Sequence, residues 1–154
     1  QLVLSKYVAS VVFYIVLWLP SVANFYIFQF ISHGAADLPR GDMIGSYLIV
    51  LLMGLFYIAI GLFSSALARN QIIAAIISLT IIVVHFLVLY FAVNLSGPRL
   101  AYLTDFFVHF APSEHLAIFS SGLVDTRPIV CYLSFSAFFL ALTHQVLEFR
   151  RWKT

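Results

Sequence analysis

A chain of 154 residues that is 63% hydrophobic and only 9% charged cannot cover its own surface with polar groups, because a soluble domain usually carries about 25% charged residues. We therefore expect the bilayer to be its solvent. A net charge of +2 gives no electrostatic basis for binding nucleic acid. The single cysteine, Cys131, excludes an internal disulfide and a CxxC metal site.

The chain begins at Gln1 and runs within a few residues into hydrophobic sequence. It shows no basic leading segment and no small-residue cleavage site, so we expect no signal peptide. We expect the chain to be the C-terminal part of a longer protein.

Four apolar stretches have the length of a membrane-spanning helix. A hydrocarbon core of about 30 Å needs about 20 apolar helical residues. Apolar residues occupy both alternating faces of each stretch, which argues against half-buried strands, and a lone strand would leave its backbone unpaired in lipid. The sequence predicts an all-α integral membrane protein with four transmembrane helices, at about residues 7–30, 44–68, 72–93 and 128–149.

Three polar residues, Arg69, Asn70 and Gln71, separate the second and third spans. They interrupt one long apolar run, so we expect a tight helical hairpin at this point. Two longer loops lie at the opposite side of the predicted bundle. Residues 32–42 are rich in turn-forming residues, and residues 94–127 form an apolar outer loop that we expect to contain short extracytoplasmic helices.

Two short helices are predicted in the outer loop. A stripe at i, i+3, i+4 and i+7 predicts the first over residues 101–110, through Leu103, Phe106, Phe107 and Phe110. Pro112 is expected to break that helix, and Ser113 to cap a second one that runs to about Ser121. Gly122 is expected to end it.

The last span has a clear beginning in the sequence. Asp125 and Thr126 are residue types that cap helices. Pro128 follows in the first turn, where its missing N–H costs nothing. We therefore expect the last span to be capped at this point.

Basic residues orient the predicted bundle. With four spans, both chain ends and the hairpin share one side, and short loops rich in Lys and Arg mark the cytoplasm. That side carries five basic residues, Lys6, Arg69, Arg150, Arg151 and Lys153. The longer outer loops carry three, Arg40, Arg99 and Arg127. We therefore place both ends of the chain in the cytoplasm.

The sequence around the hairpin is similar to that of a known family. Residues 61–75, GLFSSALARNQIIAA, resemble the junction between the fourth and fifth membrane helices of ABC-2 type transporter permeases, in particular the gliding-motility-associated permease-like subgroup. Further stretches resemble that group in the same order: SKY at 5–7, LWLP at 17–20, GSY at 45–47, GLVDTRPIVCYLS at 122–134 and LEFRRW at 147–152.

The resemblance implies a six-helix permease domain of which this chain holds the last four helices. It implies a transport subunit of a bacterial cytoplasmic membrane, an exporter without catalytic residues or cofactors of its own. ATP would be bound by a separate ABC ATPase subunit, and a second permease copy or a homologous permease would complete the pathway. The chain itself has no GxxxxGK[ST] phosphate loop.

Two candidate sites follow. Arg69, Asn70 and Gln71 either contact the ATPase machinery or form a capped and hydrated turn. His85 lies near the middle of the third span, where an ionisable side chain is a functional candidate; the alternative is a neutral imidazole that bonds to a neighbouring helix. No HxxxH or HExxH spacing supports a metal site. Gly54 and Gly61, seven residues apart, favour a close helix contact on the second span.

Two other classes of function stay open. An intramembrane enzyme that acts on lipid would need clustered Asp, Glu or His on facing helices, and the inner halves of the spans show none. A non-transporting membrane scaffold coupled to an ATPase would look the same in sequence. An ATPase gene beside the full-length gene would favour the permease.

Overall fold

A computed structural model describes residues 2–31, 40–95 and 110–151. All the regular structure in these three ranges is helical, and they contain no strand. The helices are α1 (Leu2–Ile31), α2 (Arg40–Leu67), α3 (Gln71–Leu95), α4 (Pro112–Ser120) and α5 (Thr126–Arg151).

Each predicted span corresponds to one long helix. Within the described residues, three helices are long and apolar enough to cross a membrane, over Val3–Ile31, Gly41–Leu67 and Thr126–Arg150. Helix α3 has 25 residues, and the apolar stretch identified among its described residues is Gln71–Leu87. The all-helical fold is confirmed, with three helices able to span a bilayer. The fourth crossing stays a prediction.

Helix α2 lies at the centre of the bundle and packs against α1, α3, α4 and α5. Its buried side chains recur at i, i+3, i+7 and i+11, which places them on one face of the helix. Together with one residue from α4 and one from α5 they form the core: Ile49, Leu52, Phe56, Ile60, Phe119 and Tyr132. In a membrane, lipid would be as apolar as these side chains, so close packing rather than exclusion of water would hold the helices together.

Helix α1 runs antiparallel to α2 along its edge. The hydroxyl of Tyr7 donates to the carbonyl of Leu55 at 3.2 Å, and the hydroxyl of Tyr14 donates to the carbonyl of Val50 at 3.0 Å. The partners move backwards along α2 as α1 advances, which fixes the antiparallel direction. A backbone carbonyl has two lone pairs, so it can accept a phenol hydrogen bond in addition to the one within its helix. The two tyrosines therefore join α1 to α2 without disrupting the hydrogen bonds of α2.

Two glycines on α2 allow close approach by other elements. A side chain at Gly45 would overlap the backbone carbonyl of Phe119 on α4, and one at Gly54 would overlap the ring of Tyr14. The predicted close contact at Gly54 is therefore confirmed. A Cβ at Gly61 would meet no described atom within 4 Å, so the same prediction is wrong there.

Helix α4 begins two residues earlier than expected. Residues 101–110, where the first short helix was predicted, lie almost wholly outside the described residues. Pro112 is the first residue of α4, and Ala111 occupies the cap position with an extended backbone and no side-chain hydrogen bond. Capping by Ser113 is thus wrong. The fixed φ of proline suits the first helical position, where no N–H is needed, so Pro112 starts this helix instead.

The end of α4 and the start of α5 agree with the sequence. Gly122 follows α4 with φ at +76°, a left-handed conformation that suits glycine, and its N–H donates to the carbonyl of Phe119 at 3.2 Å. An Oδ1 atom of Asp125 accepts the backbone N–H of Arg127 at 3.0 Å. Pro128 lies in the first turn of α5. The predicted stop at Gly122 and cap at Asp125 are confirmed.

Candidate functional site

The hairpin between α2 and α3 is a capped turn with exposed side chains. Asn70 is the cap of α3: its Oδ1 atom accepts the N–H of Ile72 at 3.3 Å, and its carbonyl accepts the N–H of Ala74 at 3.0 Å. Gln71 is the first residue of α3. Arg69, Asn70 and Gln71 are all exposed at this end of the bundle. Asn70 therefore caps α3, whereas the side chains of Arg69 and Gln71 face outward.

A contact that the sequence did not predict ties α5 to this hairpin. The Nη2 atom of Arg150 donates to the carbonyl of Leu67, the last residue of α2, at 2.7 Å. Carbonyls in the last turn of a helix lack partners within the helix, and a cation there is favourable. The end of α5 therefore closes the end of α2. Lys6 lies apart from this group, because its neighbour Tyr7 is level with Leu55, about three turns before Leu67.

His85 bonds to the neighbouring helix. Its Nδ1 atom lies 3.4 Å from the hydroxyl of Tyr57 on α2, and its ring packs edge-on against Phe56 with 5.6 Å between centroids. This arrangement agrees with the second hypothesis for His85, that of an imidazole that bonds to a neighbouring helix. His144, the other histidine within a long helix, is exposed and lies 3.8 Å from Glu148 on α5.

His115 is a buried residue whose place the sequence analysis missed. It was grouped with the outer loop, but its side chain is buried and its Nδ1 atom lies 3.2 Å from the hydroxyl of Tyr132 on α5. One signal in the sequence was available. Pro112, His115 and Phe119, the buried residues of α4, recur at i, i+3 and i+7 and thus share one helix face.

An apolar cleft lies between α3 and α5. Both helices pack on α2, but they make little contact with each other, which leaves a space of about 400 Å³. His85 reaches this space from α3 and His115 from α4. The rest of its wall is mainly aromatic and aliphatic, and includes Phe56, Ile60, Ile81, Phe110, Phe135 and Phe139.

The cleft is open at its side, because α3 and α5 make little contact with each other there. The space also falls within the range of about 300–1,000 Å³ that small-molecule sites occupy. The cleft is therefore suited to apolar atoms from outside the described residues.

Metal ligands do not cluster in the described part of the chain: no three His, Cys, Asp or Glu side chains come together there. His85, His115 and Cys131 all line the cleft, yet each imidazole points its Nδ1 atom at a tyrosine hydroxyl. His33 and His109 lie outside the described residues. The cleft thus offers paired hydrogen-bonding groups within an apolar wall.

Comparison with protein families, characterised proteins and solved structures found no match to this chain. The helical fold therefore rests on the structure itself. The resemblance to ABC-2 permeases rests on the motifs of the sequence, and the function that it implies is a proposal.

Proposed function

We propose that this chain is the C-terminal part of an ABC-2 type permease, the membrane-spanning subunit of an ABC transporter that works as an exporter. The motifs at residues 61–75 and 122–134 support it. The structural observation that favours it most is the hairpin of Arg69, Asn70 and Gln71, which is exposed where α2, α3 and the end of α5 meet.

The build of this hairpin suits a coupling role. An element that transmits a movement of an ATPase has to move with the helices behind it rather than bend. Asn70 fixes the start of α3, and Arg150 fixes the end of α2 to α5. A push on the hairpin would therefore reach three helices together, as a rigid-body change between inward-open and outward-open bundles requires.

The proposal includes the surroundings of the chain. All four long helices would cross a bacterial cytoplasmic membrane, with the hairpin and the C-terminal end of the segment in the cytoplasm. The N-terminal end of α1 points to the same side, but Lys6 lies about three turns short of the level of the hairpin. Arg69 and Arg150 lie together at that end of the bundle and Arg127 at the other. A separate ABC ATPase subunit would bind and hydrolyse ATP, and a second permease copy or a homologous permease would complete the pathway.

Co-purification tests the permease assignment directly. An ABC ATPase gene is first sought beside the gene of the full-length protein. When the two are expressed together, the full-length protein is expected to retain that ATPase through affinity purification and gel filtration. An ATPase from an unrelated transporter serves as the control. Failure to retain the cognate ATPase, with both subunits well folded, would contradict the assignment.

Substitution of Arg69 tests the coupling hairpin. In the assembled complex, Arg69→Ala is expected to lower permease-stimulated ATPase activity about two- to fivefold, which corresponds to an exposed ion pair of about 0.5–1 kcal/mol. Lys6→Ala, which removes an exposed cation from α1, is the matched control and is expected to leave the stimulation unchanged. Equal stimulation in the Arg69 variant would exclude an ATPase contact at this residue.

An intramembrane enzyme that acts on lipid is the second candidate, and one observation favours it. His85 and His115 approach the same apolar cleft from two helices. In that case His115→Gln would abolish turnover of a lipid substrate by the purified protein, whereas a permease has no such turnover to lose. Retention of an ATPase by the same preparation would favour the permease.

A further inference from the structure

A shallow groove continues the cleft along α5, toward the end of the bundle opposite the hairpin. It has a volume of about 520 Å³ and shares Phe110, Cys131 and Phe135 with the cleft. Val130 and Phe138 extend its apolar wall. Groove and cleft therefore adjoin along α5, with Cys131 at their junction, and we refer to the two together as the path.

The path has one cationic end. Arg127 lines the groove at the start of α5, and its side chain is exposed. The nearby carboxylate of Asp125 is directed to the helix backbone, where it accepts the N–H of Arg127. The guanidinium forms no ion pair with any residue in the described ranges.

We propose that the cleft and the groove together hold one alkyl chain of an acidic phospholipid, with its phosphate at Arg127. The inference goes beyond transport, because it requires only that the chain lies in a membrane. The weak contact between α3 and α5 leaves the path open at the side, where a bilayer supplies lipid and almost no water.

The length of the path matches one leaflet. Arg127 and Phe139 lie twelve residues apart on α5, so the path extends about 18 Å along the helix at about 1.5 Å per residue. Half of a hydrocarbon core of about 30 Å is about 15 Å. A lipid with its headgroup at Arg127 would therefore end its chain near Phe139, close to the midplane.

The chemistry of the wall agrees with this occupant. Phe56, Phe110 and Phe135 present rings to the space, and the hydroxyls of Tyr57 and Tyr132 lie within reach of His85 and His115. A methylene chain needs no hydrogen bonds from such a wall. The headgroup needs one strong donor, and an arginine supplies a forked donor that fits a phosphate.

Native mass spectrometry of the full-length protein in detergent tests the proposal. Phosphatidylglycerol and phosphatidylcholine with identical chains are added in turn, and bound lipid is counted after mild activation. We expect one tightly retained phosphatidylglycerol, with an affinity about tenfold above that of phosphatidylcholine, or about 1.4 kcal/mol. Both lipids carry the phosphate, but the ammonium of choline offsets its charge beside Arg127. Equal retention of both lipids would contradict the proposed preference for an acidic headgroup.

Two pairs of variants locate the lipid. Arg127→Gln is expected to lose the tenfold preference, while Lys6→Gln, which removes a cation from α1, retains it. Cys131→Trp fills the junction of the path and is expected to lower the affinity for both lipids at least tenfold. Leu133→Trp places the same ring on the exposed face of α5 and should not change it. Thermal unfolding in detergent checks that every variant is folded.

Each remaining outcome also decides the proposal. If Cys131→Trp is folded and binds lipid as the wild type does, the path does not hold the chain, and the proposal is wrong. If the wild type retains no lipid, protein atoms fill the space instead. If palmitate binds as tightly as phosphatidylglycerol, the occupant is a free fatty acid rather than a phospholipid. These measurements include no transport or ATPase assay. The lipid proposal can therefore fail while the permease assignment holds, and the reverse.

Discussion

Helices α1 and α2 are close in length, 30 and 28 residues, and both are apolar enough to cross a membrane. Their surroundings differ completely. None of the most apolar window of α1 is buried in the described bundle, against 44% of that of α2. Phe13 of α1 is 65% exposed, and Phe56 of α2 is 6% exposed.

The difference shows that hydropathy decides which segments are helices in a membrane but not which helix is central. Helix α2 has glycines where two neighbours approach, Phe119 at Gly45 and Tyr14 at Gly54. Helix α1 reaches α2 through the ends of tyrosine side chains, so most of its surface stays free. In lipid, helices associate where small residues let their backbones come close.

The largest expected effect tests the backbone contact on α2. Gly45→Leu places a side chain against the carbonyl of Phe119, which cannot move without displacing α4. We expect a loss of about 3 kcal/mol in the free energy of unfolding, the upper part of the range for overpacking. Gly61→Leu on the same helix, where space is open, is the control and should be neutral or slightly stabilising.

Unfolding in SDS-containing mixed micelles measures both glycine variants. Equal losses at the two glycines would show that contact with α4 does not explain the result at Gly45, because the gain in helix propensity is favourable at both positions. The distinction between a central α2 and a peripheral α1 would then need another cause.

The next effect compares two phenylalanines. Phe119 is fully buried against α2, whereas Phe13 of α1 is mostly exposed. Phe119→Ala leaves a void on the order of 100 Å³, which at about 24 cal/mol per Å³ costs about 2–3 kcal/mol. Phe13→Ala is expected to cost less than about 0.5 kcal/mol. The same unfolding assay measures both, and a comparable loss at Phe13 would reveal a partner on α1.

The smallest effect concerns the hydrogen bonds of α1. Tyr14→Phe keeps the ring against Gly54 and removes the hydroxyl that donates to Val50. We expect a loss of about 0.6–1.5 kcal/mol, as for other hydrogen bonds between membrane helices. Tyr26→Phe, an exposed tyrosine of the same helix, is the control. If the two variants behave alike, ring packing alone holds α1.

Much of the fold was predictable because its signals are local. Four apolar stretches located the long helices to within a few residues, and Asp125 and Gly122 marked the start of α5 and the end of α4. The turn at Asn70 was equally visible. Each of these signals depends on residues only a few positions apart, so they act in the same way whatever the helix packs against.

The candidate site was less predictable. His85 was identified as an ionisable residue within a span, but its partner Tyr57 was not. His115 falls in the second predicted short helix of the outer loop, but its burial was not predicted. The apolar cleft was not predicted at all, because it exists only where α3 and α5 both pack on α2 and leave a gap between themselves.

The sequence by itself determined the helices and their ends, because apolar length and caps are local signals, and its low charge predicts a membrane as the solvent. Only the tertiary structure decided that α2 is central, that Arg150 closes the end of α2, and that His115 reaches the cleft. The physical reason is that every face of these helices is apolar. A pattern of hydrophobic and polar residues therefore does not mark the contact faces, and the fit between glycines, rings and backbone selects them.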